Sequence, residues 1–178
     1  MPIYIIWFCH QRRNTRQEDT KAVRRARGDQ VELDAIDRKL LSVLAQDAEL
    51  SYKELSAQVH LSAPAIHERV KRLKQRGVIR ATVALLDGPM VGRDLLAFVH
   101  LETSNWETTR RVLEMSAFPQ IEEIHTVAGD TAMILKVRSE NSAELENMLG
   151  QLHRLDGFKS VKTFIALGTY LERGPLPA

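Results

Sequence analysis

Six basic side chains stand between Ser62 and Arg80 (Arg69, Lys71, Arg72, Lys74, Arg76 and Arg80), against a single acid, Glu68. Among them Ile66, Val70 and Leu73 recur at i, i+4 and i+7, the spacing of a helix with one apolar face. A charge of +5 opposite a buried stripe is suited to a polyanion. Guanidinium and ammonium groups hold phosphates and set register, while the first helical residues reach base edges in a major groove. On this reading Ala63, Pro64, Ala65 and His67 face the bases, and Ser62 and Glu68 belong to the same DNA-contacting set. The small residues suit contact with thymine methyls, and His67 and Arg69 are the candidates for polar base contacts. Lys71, Arg72 and Arg76 fall to phosphates. A charge run alone would equally describe a solvated helix that binds protein, so the decision rests on the elements around it.

Those elements read as a small three-helix unit. Asp34 can cap a helix from Ala35 whose Ile36, Leu40, Val43 and Leu44 share one face. Residues 46–50 break the pattern. Ser51 and Glu54 form a capping box, with Leu55 and Val59 on the inner face of a short second helix. The turn Val59-His60-Leu61-Ser62 leads into the third helix. Ser62 is its expected cap, Pro64 sits where a missing N–H costs nothing, and Gly77 is the expected left-handed stop. Residues 78–86 alternate loosely and predict a wing strand, closed by Asp87-Gly88-Pro89. Spacing, capping box, tight turn and basic third helix together predict a winged helix-turn-helix DNA-binding domain over residues 31–90.

Residues 91–173 read differently. Leu95, Ala97, Val99 and Leu101 alternate as a strand, and a helix follows from Trp106 to the stop at Pro119. Residues 121–127 and 132–137 predict two strands joined at Gly129-Asp130, a hairpin turn by spacing alone. A helix opens at Ser142 with Leu145, Met148, Leu149, Leu152 and Leu155 inside, and ends at Gly157. Residues 161–167 predict a fourth strand. The order βαββαβ is the split ferredoxin-like unit, so the fold class is α+β. Two helices cover one sheet face. The other is expected to be rich in Leu, Phe, Val and Ile and to be buried by a second copy of the chain. Such a homodimer would present two recognition helices to successive turns of groove.

Charge is unevenly spread along the chain. Residues 1–30 hold 7 Lys+Arg against 3 Asp+Glu, residues 31–90 hold 9 against 8, and residues 91–178 hold 9 against 12. The first thirty residues predict a basic, disordered extension, and a short helix over residues 19–27 is conceivable within it. Residues 174–178 form a tail. One cysteine, Cys9, allows neither an internal disulfide nor a zinc cage of thiolates. The early apolar run of residues 3–9 is too short to span a bilayer and lacks the flanks of a secretory signal, so a cytoplasmic protein is expected. No nucleophile–base pair, phosphate loop or metal spacing is visible, and no cofactor is called for.

Several stretches resemble the Lrp/AsnC family of transcriptional regulators. They are Leu33-Asp34-Ala35-Ile36-Asp37-Arg38-Lys39-Leu40-Leu41, residues 52–56, Leu61-Ser62 through Arg69-Val70-Lys71-Arg72-Leu73, Gly77-Val78-Ile79 and Val127-Ala128-Gly129-Asp130. The resemblance covers about residues 33–173. It implies a protein that binds promoter DNA, pairs through its sensor sheets into dimers and sometimes tetramers or octamers, and responds to an amino acid. It places that effector at Val127, Ala128, Gly129, Asp130, Thr131 and Ala132, where the Gly129 amide would meet a carboxylate and Asp130 an ammonium group. Two positions depart from the pattern. His60 stands where the family has glycine, and Ala132-Met133 stand where it often has an acid and an aromatic. The alternative reading is an enzyme resembling the tetrapyrrole (sirohaem) decarboxylases of the same two-part fold, with His100 and His125 approaching one another on neighbouring strands.

Overall fold

The computed structural model describes residues 31–114 and 118–178. The expected N-terminal arm, the conceivable helix within it, and three residues before the stop at Pro119 lie outside them. The chain divides into two compact units, one holding the residues up to Thr82 together with Gly174–Ala178 and the other spanning Val83–Arg173.

The first unit has three helices: α1 (Ala35–Leu44), α2 (Tyr52–Val59) and α3 (Ala63–Gln75). Their apolar stripes meet in one core of Leu40, Leu55, Val59, Ile66, Val70 and Leu73, each at most 6% exposed. Burying each of these large side chains contributes about 1.5–3 kcal/mol, which short helices need because they are marginal alone. Asp34 caps α1 by accepting from the Asp37 N–H at 2.6 Å. Ser51 and Glu54 cap α2 reciprocally, as expected. His60 follows α2 in the left-handed conformation, φ 58° and ψ 42°, so histidine adopts the geometry that glycine usually supplies. Its N–H donates to the Ser56 carbonyl, and the Ser56 hydroxyl donates to the Leu61 carbonyl, closing the turn. Ser62 occupies the cap position of α3, but its hydroxyl makes no capping bond. After α3, Gly77 takes φ 74°.

The expected wing strand is absent. Residues 80–87 carry no regular secondary structure and make no ladder among the described residues. A strand needs a hydrogen-bonded neighbour, and no strand of the described residues pairs with this stretch. Val83, Leu85 and Leu86 are 65–81% exposed along it.

The second unit follows the predicted βαββαβ order: β1 (Leu95–Thr103), α4 (Trp106–Glu114), β2 (Ile121–Thr126), β3 (Met133–Ser139), α5 (Ser142–His153) and β4 (Phe158–Ile165). A single 3₁₀ turn, Pro89–Val91, precedes β1. The sheet order is β2-β3-β1-β4, with every pair antiparallel. Alternation along β1 and β3 sends Ala97, Val99, Leu101, Met133, Leu135 and Val137 to the helix-covered face. There they pack with Val112, Leu145, Met148 and Leu152.

The uncovered face is more polar than its expected Leu, Phe, Val and Ile. It presents Phe98, Ile134 and Phe164, but also His100, Glu102, Lys136, Arg138 and Lys162, register neighbours of those residues. Lys136 is held by Glu122, Glu123 and Glu172, and Arg138 by Glu122 at 2.6 Å and Glu172 at 3.6 Å. Exposed apolar residues occur instead at the flanks: Leu85, Leu86, Met90 and Val91 before β1, Ile165 at the end of β4, and Leu167, Tyr170 and Leu171 after it.

Candidate nucleic-acid interface and effector site

The exposed side of α3 carries Ser62, Pro64, His67, Glu68, Lys71, Arg72, Lys74 and Arg76, while Ala63 and Ala65 are half-buried. No acid stands in the first turn, and Arg72 and Lys74 lie in the last, the arrangement a helix dipole favours. Of the ten residues expected to contact DNA, seven are exposed on or beside this helix and three, Ala63, Ala65 and Arg69, are half-buried.

Arg69 does not behave as expected. It is folded back onto α1, with Nη1 donating to Asp34 Oδ2 at 2.6 Å and to Asp37 Oδ1 at 2.7 Å. Its side chain is 23% exposed and that of Asp37 only 4%. A carboxylate so buried must be paired, and Arg69 is the nearest cation. Arg69 is thus turned toward α1 in this structure rather than toward solvent. Arg72 is shared: Nη2 donates to Asp37 Oδ2 at 3.1 Å, yet half the side chain faces water. The Arg69 guanidinium beside Asp34 holds that carboxyl below its ordinary range, and the Asp37 N–H adds to the effect.

The sequence reading overlooked Tyr52. Its ring meets the His67 ring edge-on, with centroids 5.3 Å apart, so the first residue of α2 adjoins the second turn of α3. Tyr52 is 41% exposed, and an aromatic directly after a serine cap at an otherwise polar helix start was the signal available. His67 also lies 3.7 Å from Glu68.

In the second unit, residues 127–132 form the hairpin between β2 and β3. The Val127 N–H donates to the Ala132 carbonyl, and the Ala132 N–H and Thr131 hydroxyl both donate to the Leu101 carbonyl. Ala128, Gly129 and Asp130 are exposed, and Val127, Thr131 and Ala132 are half-buried. Met133 is fully buried in the core, which accounts for an aliphatic residue there. Asp130 and Thr131 join His100, Glu102, Ser160 and Lys162 around a recess of about 30 Å³. Glu102, Ser160 and Lys162 were missed, and His100 was read only as a partner for His125, because which strand flanks β1 is not readable locally. Glu102 accepts from Lys159 Nζ and the Ser160 hydroxyl, both at 3.1 Å. These bonds, that of Lys159 foremost, hold its carboxyl below the usual range. The recess has room for about one water, against several hundred Å³ in a typical ligand pocket. A wider groove of about 460 Å³ opens between residues 86–89 and 166–172, walled by Leu86, Leu96, Leu167, Tyr170 and Leu171.

His100 and His125 are not neighbours. Both pair with Ile134 of β3, from opposite sides, so a whole strand separates them, or about 10 Å. The split βαβ connection inserts β3 between β1 and β2, and the expected histidine pair does not form. Among the described residues no cluster of metal-ligating side chains occurs, and no helix is long and apolar enough to cross a membrane.

Comparison with known proteins bears on both units. Residues 33–74 match the AsnC-type helix-turn-helix domain, and residues 96–176 match the Lrp/AsnC ligand binding domain. The chain is 32% identical over 147 residues to the HTH-type transcriptional regulator FL11 of Pyrococcus horikoshii, covering 83% of this chain and 97% of that one. Among solved structures it resembles an AsnC family transcriptional regulator from Agrobacterium tumefaciens, with TM-score 0.75, 28% identity, and 82% and 97% of the two chains covered. It also resembles a transcriptional regulator from Neisseria meningitidis in complex with L-methionine, with TM-score 0.76, 25% identity and the same coverage. These similarities lend no support to the decarboxylase alternative. With its capped helix-turn-helix and its βαββαβ unit, the chain belongs to the Lrp/AsnC family of DNA-binding transcriptional regulators.

Proposed function

We propose that this regulator reads promoter DNA with the exposed face of α3, acts in the cytoplasm as a homo-oligomer built from dimers, and is modulated by an amino acid or a related small molecule held at the 127–132 hairpin. The observation that carries the DNA reading is the cationic face of Lys71, Arg72, Lys74 and Arg76 on a helix whose opposite side is fully buried. His67 is the polar base reader, Ala63, Pro64 and Ala65 offer apolar contact, and the four cations hold phosphates. Binding should therefore fall steeply with salt. Fluorescence anisotropy on duplexes from the region upstream of its own gene, between about 50 and 200 mM salt, should give a slope near −0.9 per phosphate held. A flat response would refute the reading.

The effector reading is supported by the recess chemistry. Asp130 and Glu102 suit an ammonium group, and His100 and Lys162 suit a carboxylate. The similar Neisseria meningitidis structure holds L-methionine. One chain supplies only about 30 Å³, so a second copy must complete the walls. A thermal-shift screen of the twenty amino acids should raise the melting temperature for one or a few of them. That rise should vanish in Asp130→Ala. A uniform absence of shift would remove the effector from the proposal and leave the DNA reading intact.

A further inference from the structure

The apolar stripe of Ile66, Val70 and Leu73 selects the buried side of α3, but hydrophobic contact has no preferred direction and leaves the finer rotation within that side open. Charge-assisted hydrogen bonds do have one. Asp34 uses one carboxylate oxygen to cap α1 and the other to hold Arg69. Asp37, one turn into α1, holds Arg69 and Arg72, which are three apart and so on one side of α3. Two carboxylates of the first helix thus grip two guanidiniums of the third. Turning α3 by one residue, about 100°, would break every one of these bonds and carry His67 off the exposed face.

We propose that Asp34, Asp37, Arg69 and Arg72 form a clamp that sets the rotation of the recognition helix, with Arg69 a positioning residue that makes no contact with DNA. The clamp rests on the reading of α3 as the DNA-contacting helix and adds what aims it. It also changes the charge seen by DNA. The guanidinium of Arg69 is turned onto the carboxylates of α1, so Lys71, Lys74, Arg76, Arg80 and the exposed half of Arg72 carry the phosphate contacts.

The test uses the full chain and two duplexes of equal length and composition: one selected by the wild-type protein from a random pool, the other scrambled. Anisotropy titrations between about 50 and 200 mM salt give affinity and salt slope for each. Lys71→Gln, a phosphate contact, should weaken both duplexes and reduce the slope by about one. Arg69→Gln and Asp37→Asn should instead lose about tenfold or more on the selected duplex while leaving the scrambled duplex and the slope unchanged. Asp34→Asn decides the matter if either of those variants melts early, because asparagine caps a helix as well as aspartate but leaves Arg69 without its ion pair. It should cost about three- to tenfold on the selected duplex alone. The clamp is overturned if Arg69→Gln lowers the slope on both duplexes, or if Asp34→Asn tightens both equally, since the freed Arg69 would then be a DNA contact. Unchanged affinity of Asp34→Asn and Asp37→Asn for the selected duplex also overturns it. A wild-type chain that binds neither duplex overturns the DNA reading itself.

Discussion

His60 and Asp34 show how single residues carry the turn and the cap. Histidine at φ 58° bears the left-handed penalty that glycine avoids, and its side chain is exposed. His60→Gly should therefore raise stability by about 0.5–1 kcal/mol, and His60→Val, β-branched at a positive φ, should lower it by about 1–2 kcal/mol. Urea midpoints at neutral pH would show both. Acid acts on the same unit through its caps. Arg69 holds the carboxyl of Asp34 below its ordinary range, and the Ser51 hydroxyl and N–H do the same for Glu54. A carboxylate with a depressed folded value stabilises fully above its unfolded value and loses that contribution as pH falls through the folded one. The urea midpoint should be flat from pH 7 to about 5 and decline below about pH 4. A midpoint that rises in acid would mean that these carboxylates are not held in their charged form.

The elements of the first unit owe their boundaries to local chemistry and their stability to packing. Ser51→Ala removes the capping box of an eight-residue helix and should cost about 1 kcal/mol. Leu73, fully buried where α3 meets the core, should cost about 2–5 kcal/mol as alanine. The two differ in kind: the first frays one end of α2, while the second loosens the seat of the recognition helix. Far-UV circular dichroism in urea should show a small shift for Ser51→Ala and a large one for Leu73→Ala. DNA affinity at low denaturant should survive the first.

At the scale of the molecule, the unpaired backbone and exposed apolar residues point to a second copy. Among the described residues, 80–87 have no strand partner, and Leu85 and Leu167 are 74% and fully exposed. Patches of this kind are rare on monomers. Leu85→Asp combined with Leu167→Asp should convert a dimer into a monomer, read as a halved mass by light scattering. The variant should retain its helix content, because neither side chain belongs to either core. If the mass is unchanged, the dimer uses another surface, with the ion-paired centre of the sheet as the next candidate.

Helix starts, the left-handed stop at Gly77, the capping box of Ser51 and Glu54, and the βαββαβ order were all legible in the sequence. Each depends on residues within a few positions of one another, and hydrophobic period reports which face is buried. Relations between distant segments were not legible. Which strand flanks β1 decided that His100 and His125 stand a strand apart, and that His100, Glu102, Ser160 and Lys162 share a recess with Asp130. The missing wing has the same cause: alternation permits a strand, but only a neighbour with free N–H and C=O groups makes one. Arg69 is the sharpest case. Counted between Ser62 and Arg80 it is one of six cations, and only the approach of α1, 32 residues earlier, turns its charge inward onto Asp37.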